Sequence, residues 1–421
     1  RSFYWGQNFI QTADIDAGLT QYWDDADDNS DGIRYNDAND SSATGNNEGF
    51  SPIGTADAPG GMAQTQNNPA ERVSEKRNNR IPVGGAAPTK FTGEYNGDGH
   101  IISDLTIDRS STSGLGLFGQ TDGALVENIG IENCSYSGAQ HVGGIVGLND
   151  NSEIKTSYST GNLTSTHGSA NYAGGIAGRN INSANINNCY SWVDVTANTG
   201  YAGGVTGANS SGSVTNSFSI GTVSNVTNSG GLSGNNGGTI NNSFWDTDSS
   251  ARSTSDGGSG KTAEDMRDSH TFTEAGWDFM DETANGSDDY WGRNNTDNDK
   301  YPFLHWQGYT NIQKPTGADD VVTTDEEVEY TFQAIDFTFN DADGHTFAGI
   351  KIHSIESDGD LEYNGSDVTA GLECPDVTLL TFLPDSNDFG SPQATFNFKV
   401  KDNSGDFSDA NYQMAINVNN T

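Results

Sequence analysis

A five-residue glycine motif recurs along the middle of the chain and constrains the fold more than any other feature. The motif is Gly-Gly-x-x-Gly, shortened to GLFG in its first copy, and its last glycine falls at residues 119, 147, 178, 207 and 234, which lie 28, 31, 29 and 27 residues apart. A second motif follows each full glycine block and reads IKTSY, INNCY, VTNSF or INNSF. Because the two motifs keep a common phase, they define a structural repeat of about 28 residues.

The repeat predicts an all-β fold in which each copy forms one turn of a parallel β-helix. The copies have short alternating strands and frequent turn residues, without helical periodicity. Successive turns should stack about 4.8 Å apart, so equivalent side chains should align. We expect an aliphatic column of Ile154, Ile186, Val214 and Ile240, an aromatic column of Tyr158, Tyr190, Phe218 and Phe244, and a polar column of Thr156, Asn188, Asn216 and Asn242 whose amides hydrogen-bond from turn to turn.

Small residues fit the same arrangement. The paired glycines suit either a positive φ or a close approach between backbones. Cys189 occupies the serine position of the second motif, and Cys134 lies two turns earlier. Two turns place their Cα atoms about 10 Å apart, which exceeds the roughly 7 Å limit for a disulfide. We therefore predict free, buried thiols.

The charge balance restricts the partners of the chain. It has 58 acidic and 19 basic side chains, which gives a net charge of −39. Nucleic-acid binding is excluded because it requires clustered Lys and Arg, and anionic membrane surfaces are disfavoured for the same reason. No apolar run reaches the roughly 18 residues of a membrane-spanning helix. Strong acidity with abundant Asn, Ser and Thr indicates a secreted or cell-surface protein and is compatible with a salty environment.

The glycine blocks resemble the GLUG repeats of bacterial surface proteins, a family common in large adhesins. The resemblance extends upstream to opening turns at residues 8–16, 50–54 and 91–107, and downstream to a closing segment at residues 244–250, 260–266 and 301–307. It implies a parallel β-helix over residues 1–311. An acidic insertion at residues 21–48 and a loop at residues 55–87 interrupt the pattern and are expected to project from the stack.

The pattern changes after the repeats. Pro, Gly and Asp residues at 312–320 are typical of a linker. Residues 321–421 have alternating strands between turn-rich segments, which predicts a small antiparallel Greek-key β-sandwich. This segment resembles the bacterial cadherin-like repeats of giant secreted proteins, through FNDADGHTF and TFNFKVKDNSG. Because the chain starts at Arg1 and ends in linker-like sequence, we expect it to be a piece of a longer protein.

Acidic loop residues make calcium the expected metal, since calcium takes six to eight oxygen ligands. In the insertion, Asp27, Asn29 and Asp31 occupy positions one, three and five of a calcium loop, although the closing Glu is missing. In the second domain, the cadherin-like resemblance implies calcium binding by loop carboxylates. The candidates there are Asp325, Glu326, Asp341, Asp343, Asp402 and Asp406. The alternative is plain turn chemistry, because Asp-Gly pairs favour tight turns without any metal.

Catalytic residues are not expected in the repeats. The ionisable side chains there do not share a repeat phase, whereas a β-helix glycosidase or lyase places its acid and base on adjacent turns. They are Glu127, Glu132, Glu153, Lys155, His167, Arg179 and Asp194. Aromatic residues of the N-terminal segment either stack on sugars or cap the open end of the stack. They are Tyr4, Trp5, Tyr22, Trp23 and Tyr35.

The sequence thus predicts a non-enzymatic segment of a secreted or cell-surface bacterial adhesin, stiffened by calcium. Its expected partner is a glycan, a surface protein or other copies of itself, bound along the β-helix surface. Two alternatives stay open. One is a self-assembling extracellular filament or sheath subunit, and the other is a polysaccharide-active β-helix enzyme.

Overall fold

A computed structural model describes residues 7–18, 20, 50, 52–53, 90–167, 171–225, 228–280 and 284–420. They form two compact units. The first contains described residues up to Trp291 together with Tyr301–Tyr309, and the second contains Gly292–Lys300 and the described residues from Thr310 onward. We call them the helix unit and the sandwich unit. Residues 21–48 and 55–87, and the aromatic residues Tyr4, Trp5, Tyr22, Trp23 and Tyr35, lie outside the described residues.

The helix unit is built from short strands that pair in parallel with their equivalents one repeat away. The strands before the first full glycine motif are β1 (Phe9–Ile10), β2 (Ile15–Asp16), β3 (Glu94–Ser103), β4 (Thr106–Arg109), β5 (Phe118–Asp122) and β6 (Leu125–Gly138). The repeats contribute β7 (Val142–Gly143), β8 (Val146–Asp150), β9 (Glu153–Lys155), β10 (Tyr158–Ser165), β11 (Tyr172–Gly174), β12 (Ala177–Ile181), β13 (Asn185–Asn187), β14 (Tyr190–Ala197), β15 (Tyr201–Gly203), β16 (Thr206–Ser210), β17 (Ser213–Thr215), β18 (Phe218–Ser219), β19 (Val223–Asn225), β20 (Asn228–Gly230), β21 (Thr239–Asn241) and β22 (Phe244–Asp246). The closing elements are β23 (Ser259–Lys261), α1 (Ala263–Met266), α2 (Ser269–Thr273), β24 (Trp291–Gly292) and β25 (Phe303–Leu304).

The aliphatic column is confirmed and forms the centre of the main core. Ile154 pairs with Ile186, Ile186 with Val214, and Val214 with Ile240. Val126 extends the column by one turn. Val126, Ile154, Ile186 and Val214 are all 0% exposed. Five stacked turns therefore share one narrow hydrophobic core, as the repeat predicts.

The segments that resemble opening turns also take their expected places. Phe9 of β1 pairs with Tyr95, and Ile15 of β2 pairs with Ile102, both in parallel. Ile53 bridges Phe118. The parallel stack therefore begins upstream of the glycine motifs.

The aromatic column is confirmed as well, but it lies in a second hydrophobic cluster beside the main core. Tyr158, Tyr190, Phe218 and Phe244 are in register. The rings of Tyr158 and Tyr190 stack with centroids 4.8 Å apart, and those of Tyr190 and Phe218 with centroids 5.2 Å apart. A column of rings on this face needs a cover, because it would otherwise expose a large apolar surface.

The cover includes residues 263–266 and 301–307 of the predicted closing segment, together with residues that the prediction did not include. We call residues 263–280, 284–291 and 301–309 the strap. Trp306 stacks on Tyr158 with centroids 5.6 Å apart, and Phe272 meets Phe244 edge-on at 5.4 Å. The strap begins at α1, whose first turn is closed by a capping box between Thr262 and Asp265. The strap thus runs along the side of the stack and seals its aromatic column.

The polar column is aligned, but the expected chain of amide hydrogen bonds is wrong. Asn188, Asn216 and Asn242 have φ angles of 50°, 47° and 47°. Asparagine tolerates this left-handed region better than most residues, so the column marks a tight turn in every repeat. Asn188 Oδ1 accepts a hydrogen bond from Trp291 of the strap, whereas the buried Asn216 Oδ1 has no partner. The conformation of the backbone, not an amide ladder, explains this column.

A true asparagine ladder runs elsewhere in the stack. Asn149 Nδ2 donates to Asn180 Oδ1 at 2.8 Å, Asn180 to Asn209 at 3.0 Å, and Asn209 to Asn236 at 2.9 Å. Thr121 donates to Asn149 and so begins the chain. We call these residues the asparagine ladder. The sequence signal for it is an asparagine two residues after each full glycine motif.

The glycine motif is explained by close backbone approach and not by positive φ. Gly143, Gly174, Gly203 and Gly230 form a column in register. A Cβ atom on Gly174 would lie 2.3 Å from the carbonyl oxygen of Ala177, which is far inside van der Waals contact. Only glycine fits at this bend of the repeat.

All three cysteines are free and buried, which confirms the prediction for Cys134 and Cys189. Burial raises the pKa of each thiol to about 12, and this also holds for Cys374 of the sandwich unit. Thiols of such high pKa are poor nucleophiles and poor metal ligands at neutral pH.

The sandwich unit has two sheets. One has the order β26 (Asp320–Asp325), β34 (Tyr412–Asn419), β33 (Gly390–Asp402), β28 (Phe347–Ser354) and β31 (Glu373–Cys374). The other has the order β27 (Tyr330–Thr331), β32 (Leu380–Leu383), β29 (Asp360–Tyr363) and β30 (Ser366–Asp367). Buried phenylalanines such as Phe332, Phe396 and Phe398 fill its core. The pairing is mostly antiparallel as expected, but β26 and β34 run parallel over six residue pairs. The first strand of the unit lies beside the last and runs in the same direction, so the prediction of a purely antiparallel sandwich needs this correction.

The start of the sandwich unit differs from the predicted linker at residues 312–320. Within that range Thr316 bridges Asn340, and Asp320 already belongs to β26. Residues 292–300 also group with this unit. They do so because Arg293 forms a 2.5 Å ion pair with Asp406 in which both side chains are less than 10% exposed.

Candidate metal centre

Two loops of the sandwich unit bring two carboxylates and an imidazole together. Asp341 and His345 lie in the loop before β28, and Asp402 ends β33. One possible ligand atom from each residue lies within 4.8 Å of the other two. The side chains of Asp341 and Asp402 are 0% exposed, and that of His345 is 27% exposed. We call this group the candidate metal centre.

Hydrogen bonds hold both loops in shape. Asp341 Oδ1 accepts from the backbone N–H groups of Asp343 and His345 at 2.9 and 3.0 Å. Asp402 Oδ1 accepts from the N–H groups of Gly405 and Asp406, both at 2.8 Å, and from Ser404 Oγ at 2.7 Å. Each carboxylate thus has one oxygen hydrogen-bonded within its own loop, and these hydrogen bonds fix the orientation of the carboxylate.

The remaining polar atoms of the centre lack hydrogen-bond partners. They are Asp341 Oδ2, Asp402 Oδ2 and His345 Nδ1, and all three are buried. The imidazole Nδ1 lies 3.5 Å from Asp341 Oδ1 and 3.5 Å from Asp402 Oδ2. Buried carboxylate oxygens without donors are costly, often by several kcal/mol in total, unless a cation offsets their charge. The centre therefore favours a positive occupant.

These donors do not fit calcium well. Calcium prefers a cage of six to eight oxygens, whereas the side-chain ligand atoms that come together here are one oxygen from each of two carboxylates and one imidazole nitrogen. Nitrogen ligands suit zinc and its transition-metal neighbours, and three protein ligands with one further position is a common zinc arrangement. The donor chemistry therefore departs from the expected calcium site.

Of the ligands predicted from sequence, only Asp341 and Asp402 meet in this centre. Asp343 is close in sequence, but its Oδ2 accepts a 2.5 Å hydrogen bond from the N–H group of Gln313. Asp406 is held by Arg293 and by the amide of Asn295. Each of these two carboxylates thus has at least one oxygen engaged in a contact outside the centre.

The other predicted ligands lie apart from the centre. Asp320, at the start of β26, contacts Thr338 near the centre, whereas Asp325 ends the same strand. A six-residue strand is about 17 Å long, so Asp325 and the adjacent Glu326 belong to the opposite end of the unit. Asp27, Asn29 and Asp31 lie outside the described residues, and calcium binding there stays a prediction.

Sequence reasoning missed His345. A signal was present, because this histidine directly follows the DADG turn at residues 341–344. Asp360, Glu362 and Asp367 form a second acidic group on neighbouring strands, but two of the three are exposed. Exposed carboxylates need no metal to be stable.

Charged residues of the helix unit have structural partners. Lys155 Nζ lies 2.9 Å from Glu127 Oε2. The hydroxyl of Tyr158 donates to Glu132, and the side chain of Thr222 donates to Asp194. Glu127, Glu132, Lys155 and Asp194 thus each take part in a contact within the stack.

A stack of rings on the outer face contains a pH-sensitive histidine. His141 stacks on Tyr172 with centroids 5.1 Å apart, and Tyr172 stacks on Tyr201 at 5.6 Å. Burial, together with the nearby Arg179 charge, lowers the pKa of His141 to about 4. Its Nε2 atom is buried and has no partner.

This histidine should weaken the helix unit in mild acid. An unfolded histidine has a pKa of about 6.5, so the unfolded chain binds the extra proton first as pH falls. The contribution is complete above pH 6.5 and is lost as pH falls to about 4. We expect a loss of about 1–3 kcal/mol in unfolding free energy. Urea unfolding of wild type and His141→Gln at pH 7 and 4.5 measures it, since the variant lacks this component. Equal losses in both proteins would contradict it.

One repeat of the chain matches a known sequence motif. The GLUG motif matches residues 138–164. These residues run from the end of β6 through β7, β8 and β9 into β10, which is one turn of the stack. Among the described residues, no helix has the length and apolar character needed to cross a bilayer.

Two relatives and one solved structure are similar to the chain. Halomucin of Haloquadratum walsbyi is 28% identical over 353 residues, which are 73% of this chain and 4% of that protein. A protein of Evansella cellulosilytica, provisionally named a Gly-rich membrane protein, is 41% identical over 98 residues, which are 22% of this chain and 11% of that protein. A Bacteroides ovatus structure, provisionally described as an immunoglobulin A1 protease, has 20% identity and a TM-score of 0.38 over 53% of this chain and 80% of that one. The chain spans only a small fraction of either relative's length, and the matched GLUG motif is one repeat of its parallel β-helix.

Proposed function

We propose that this chain is a non-catalytic structural and binding segment of a secreted or cell-surface protein. The observation that carries the proposal is how the helix unit uses its polar side chains. The buried asparagine ladder and the pairs Lys155–Glu127 and Tyr158–Glu132 hold the stack together. A scaffold whose polar groups are committed to its own repeats is suited to display and spacing, not to chemistry.

The relatives support a surface location. One is named a membrane protein, and both are much longer than this chain. A net charge of −39 keeps such a segment soluble and repels other acidic surfaces. The partner in this proposal is a glycan, a surface protein or another copy of the chain.

Sugar stacking on the ring of Tyr172 is not part of the proposal. Tyr172 has His141 on one side of its ring and Tyr201 on the other. Both faces of this ring are therefore occupied, and a sugar could meet only its edge. Recognition on this face would use hydrogen bonds from the polar side chains around it.

Isolated particles are favoured over filaments formed by stacking at the last turn. Residues 255–256 cover part of that turn, because Ser255 Oγ accepts from the N–H groups of Leu232 and Ser233 at 3.1 and 2.9 Å. Asp256 accepts from the N–H group of Asn236 at 2.7 Å. The strand edges at these positions are occupied and cannot template another chain, although β21 is paired on one side only. A filament subunit would need a different contact.

Two experiments test the proposal. Negative-stain micrographs of the full chain should show isolated particles, and ordered polymers would favour the filament alternative instead. Incubation with acidic and neutral polysaccharides should yield no new reducing ends and no unsaturated products. Release of either product by the purified chain, above a heat-denatured control, would overturn the non-catalytic assignment.

A further inference from the structure

We propose that Asp341, His345 and Asp402 bind a divalent transition-metal ion, with zinc as the cognate type. The proposal concerns the sandwich unit alone and does not depend on the function proposed above. Its starting point is the pair of completely buried carboxylates that each leave one oxygen without a donor. One oxygen of each carboxylate and one ring nitrogen of His345 lie within 4.8 Å of one another.

The spacing suits a small ion. His345 Nδ1 lies 3.5 Å from a carboxylate oxygen of each aspartate. Ligands bound tetrahedrally at about 2.0–2.1 Å are separated by about 3.4 Å. The imidazole Nδ1 is therefore already separated from one oxygen of each aspartate by the distance between two zinc ligands.

The surrounding hydrogen bonds act as support for the ligands. Asp402 Oδ1 accepts three donors from its own loop, which leaves Oδ2 directed at the centre. Asp341 Oδ1 accepts two backbone donors, one of them the N–H group of His345. Fixed partners of this kind orient metal ligands and raise affinity. The ion would join the loop before β28 to the loop after β33.

Simple charge pairing is the competing explanation. A protonated His345 at 3.5 Å from both carboxylates would offset part of their charge without any metal. That explanation pairs His345 with Asp402 Oδ2 but leaves the buried Asp341 Oδ2 without a partner. It also predicts no tight metal binding, so the two explanations differ in a measurable quantity.

The test is calorimetric titration of the full chain with zinc chloride and with calcium chloride after treatment with chelator. We expect one zinc ion that binds with a dissociation constant in the micromolar range or below and depends on His345. His345→Ala should weaken it by about 100-fold or more, because three protein ligands fall to two. His353→Ala is the matched control, since His353 is exposed on β28, and it should bind zinc like wild type.

A second variant tests the choice of metal. His345→Asp replaces nitrogen with oxygen, so it should lose affinity for zinc and gain affinity for calcium relative to wild type. If His345→Ala fails to fold by circular dichroism, His345→Asn takes its place. Absence of zinc binding in wild type, zinc binding that is unchanged in the His345 variants, or calcium binding in wild type as tight as zinc binding would overturn the proposal.

Discussion

Replacing Tyr190 with alanine should lower the unfolding free energy of the helix unit by about 3–5 kcal/mol, the usual cost of deleting a buried aromatic ring. Tyr190 is 1% exposed and lies in the middle of the aromatic column. Its ring stacks between Tyr158 and Phe218, and it also meets Trp291 of the strap. The deletion would leave a cavity between neighbours that are themselves fixed by the stack, so little relaxation is available.

Tyr190→Phe is the matched control. It keeps the ring and loses only the hydrogen bonds between the tyrosine hydroxyl and Gln307, at 3.0 and 3.2 Å. We expect a cost of about 1 kcal/mol. Phenylalanine already occupies the equivalent position in two later turns, at Phe218 and Phe244. An alanine variant no less stable than the phenylalanine variant would show that the column does not support the stack.

Tryptophan fluorescence in a urea titration can measure both variants. All seven tryptophans of the chain, the last being Trp306, precede the residues of the sandwich unit that follow position 309. The signal therefore reports the helix unit, even where the two units unfold separately.

Asn180→Asp should be about as damaging at neutral pH, with an expected loss of about 3–5 kcal/mol. The asparagine amide donates to Asn209 Oδ1, to the carbonyl of Ala184 and to that of Ser213. A carboxylate of the same shape would face these three oxygens with a buried negative charge. Burial and the facing oxygens should raise the pKa of this carboxyl above its unfolded value of about 3.9. The loss should therefore shrink as pH falls toward that value.

Asn241→Asp is its control, because Asn241 is exposed on β21 and carries the same chemical change. Unfolding in urea at pH 7 and pH 4.5 separates the two sites. We expect the control to stay within about 0.5 kcal/mol of wild type at both values. A loss for Asn180→Asp that does not change with pH would contradict a buried, charged carboxylate at the ladder.

Much of the helix unit was predictable because a repeat carries its own register. Once two motifs keep phase, the pairing of Ile154 with Ile186 and of Tyr158 with Tyr190 follows from stacking alone. The strap was harder to place. It belongs to no repeat, and the only signal for its path is that Trp277, Trp291 and Trp306 need an apolar surface to cover.

The two asparagine columns show that residue type alone does not predict the role of a buried asparagine. Asn188 and Asn180 lie in the same repeat and are both buried, yet one provides a left-handed turn and the other a ladder hydrogen bond. Nothing in the residue type separates these roles, because asparagine is favoured in both. Position in the turn decides between them, because Asn180 lies within β12 whereas Asn188 lies at the bend between β13 and β14.

The candidate metal centre was half predictable. DADG and KDNSG are turn sequences rich in carboxylates, so Asp341 and Asp402 could be named, but turns that are far apart in sequence give no sign of which pairs meet. The Phe347–Asp402 pairing between β28 and β33 brings the two loops together. That long-range pairing also brings His345 to the centre. The centre therefore offers a nitrogen ligand beside its carboxylate oxygens.

The parallel pair of β26 and β34 has a mechanical consequence. The two strands share one register from Asp320 opposite Met414 to Asp325 opposite Asn419. Because they run in the same direction, a pull on the two ends of the sandwich unit would slide one strand along the other. Shear of this kind loads the bonds of the ladder together, whereas an antiparallel terminal pair would be peeled apart one bond at a time. A pull on the two ends of the sandwich unit would therefore be resisted by the whole β26–β34 ladder at once.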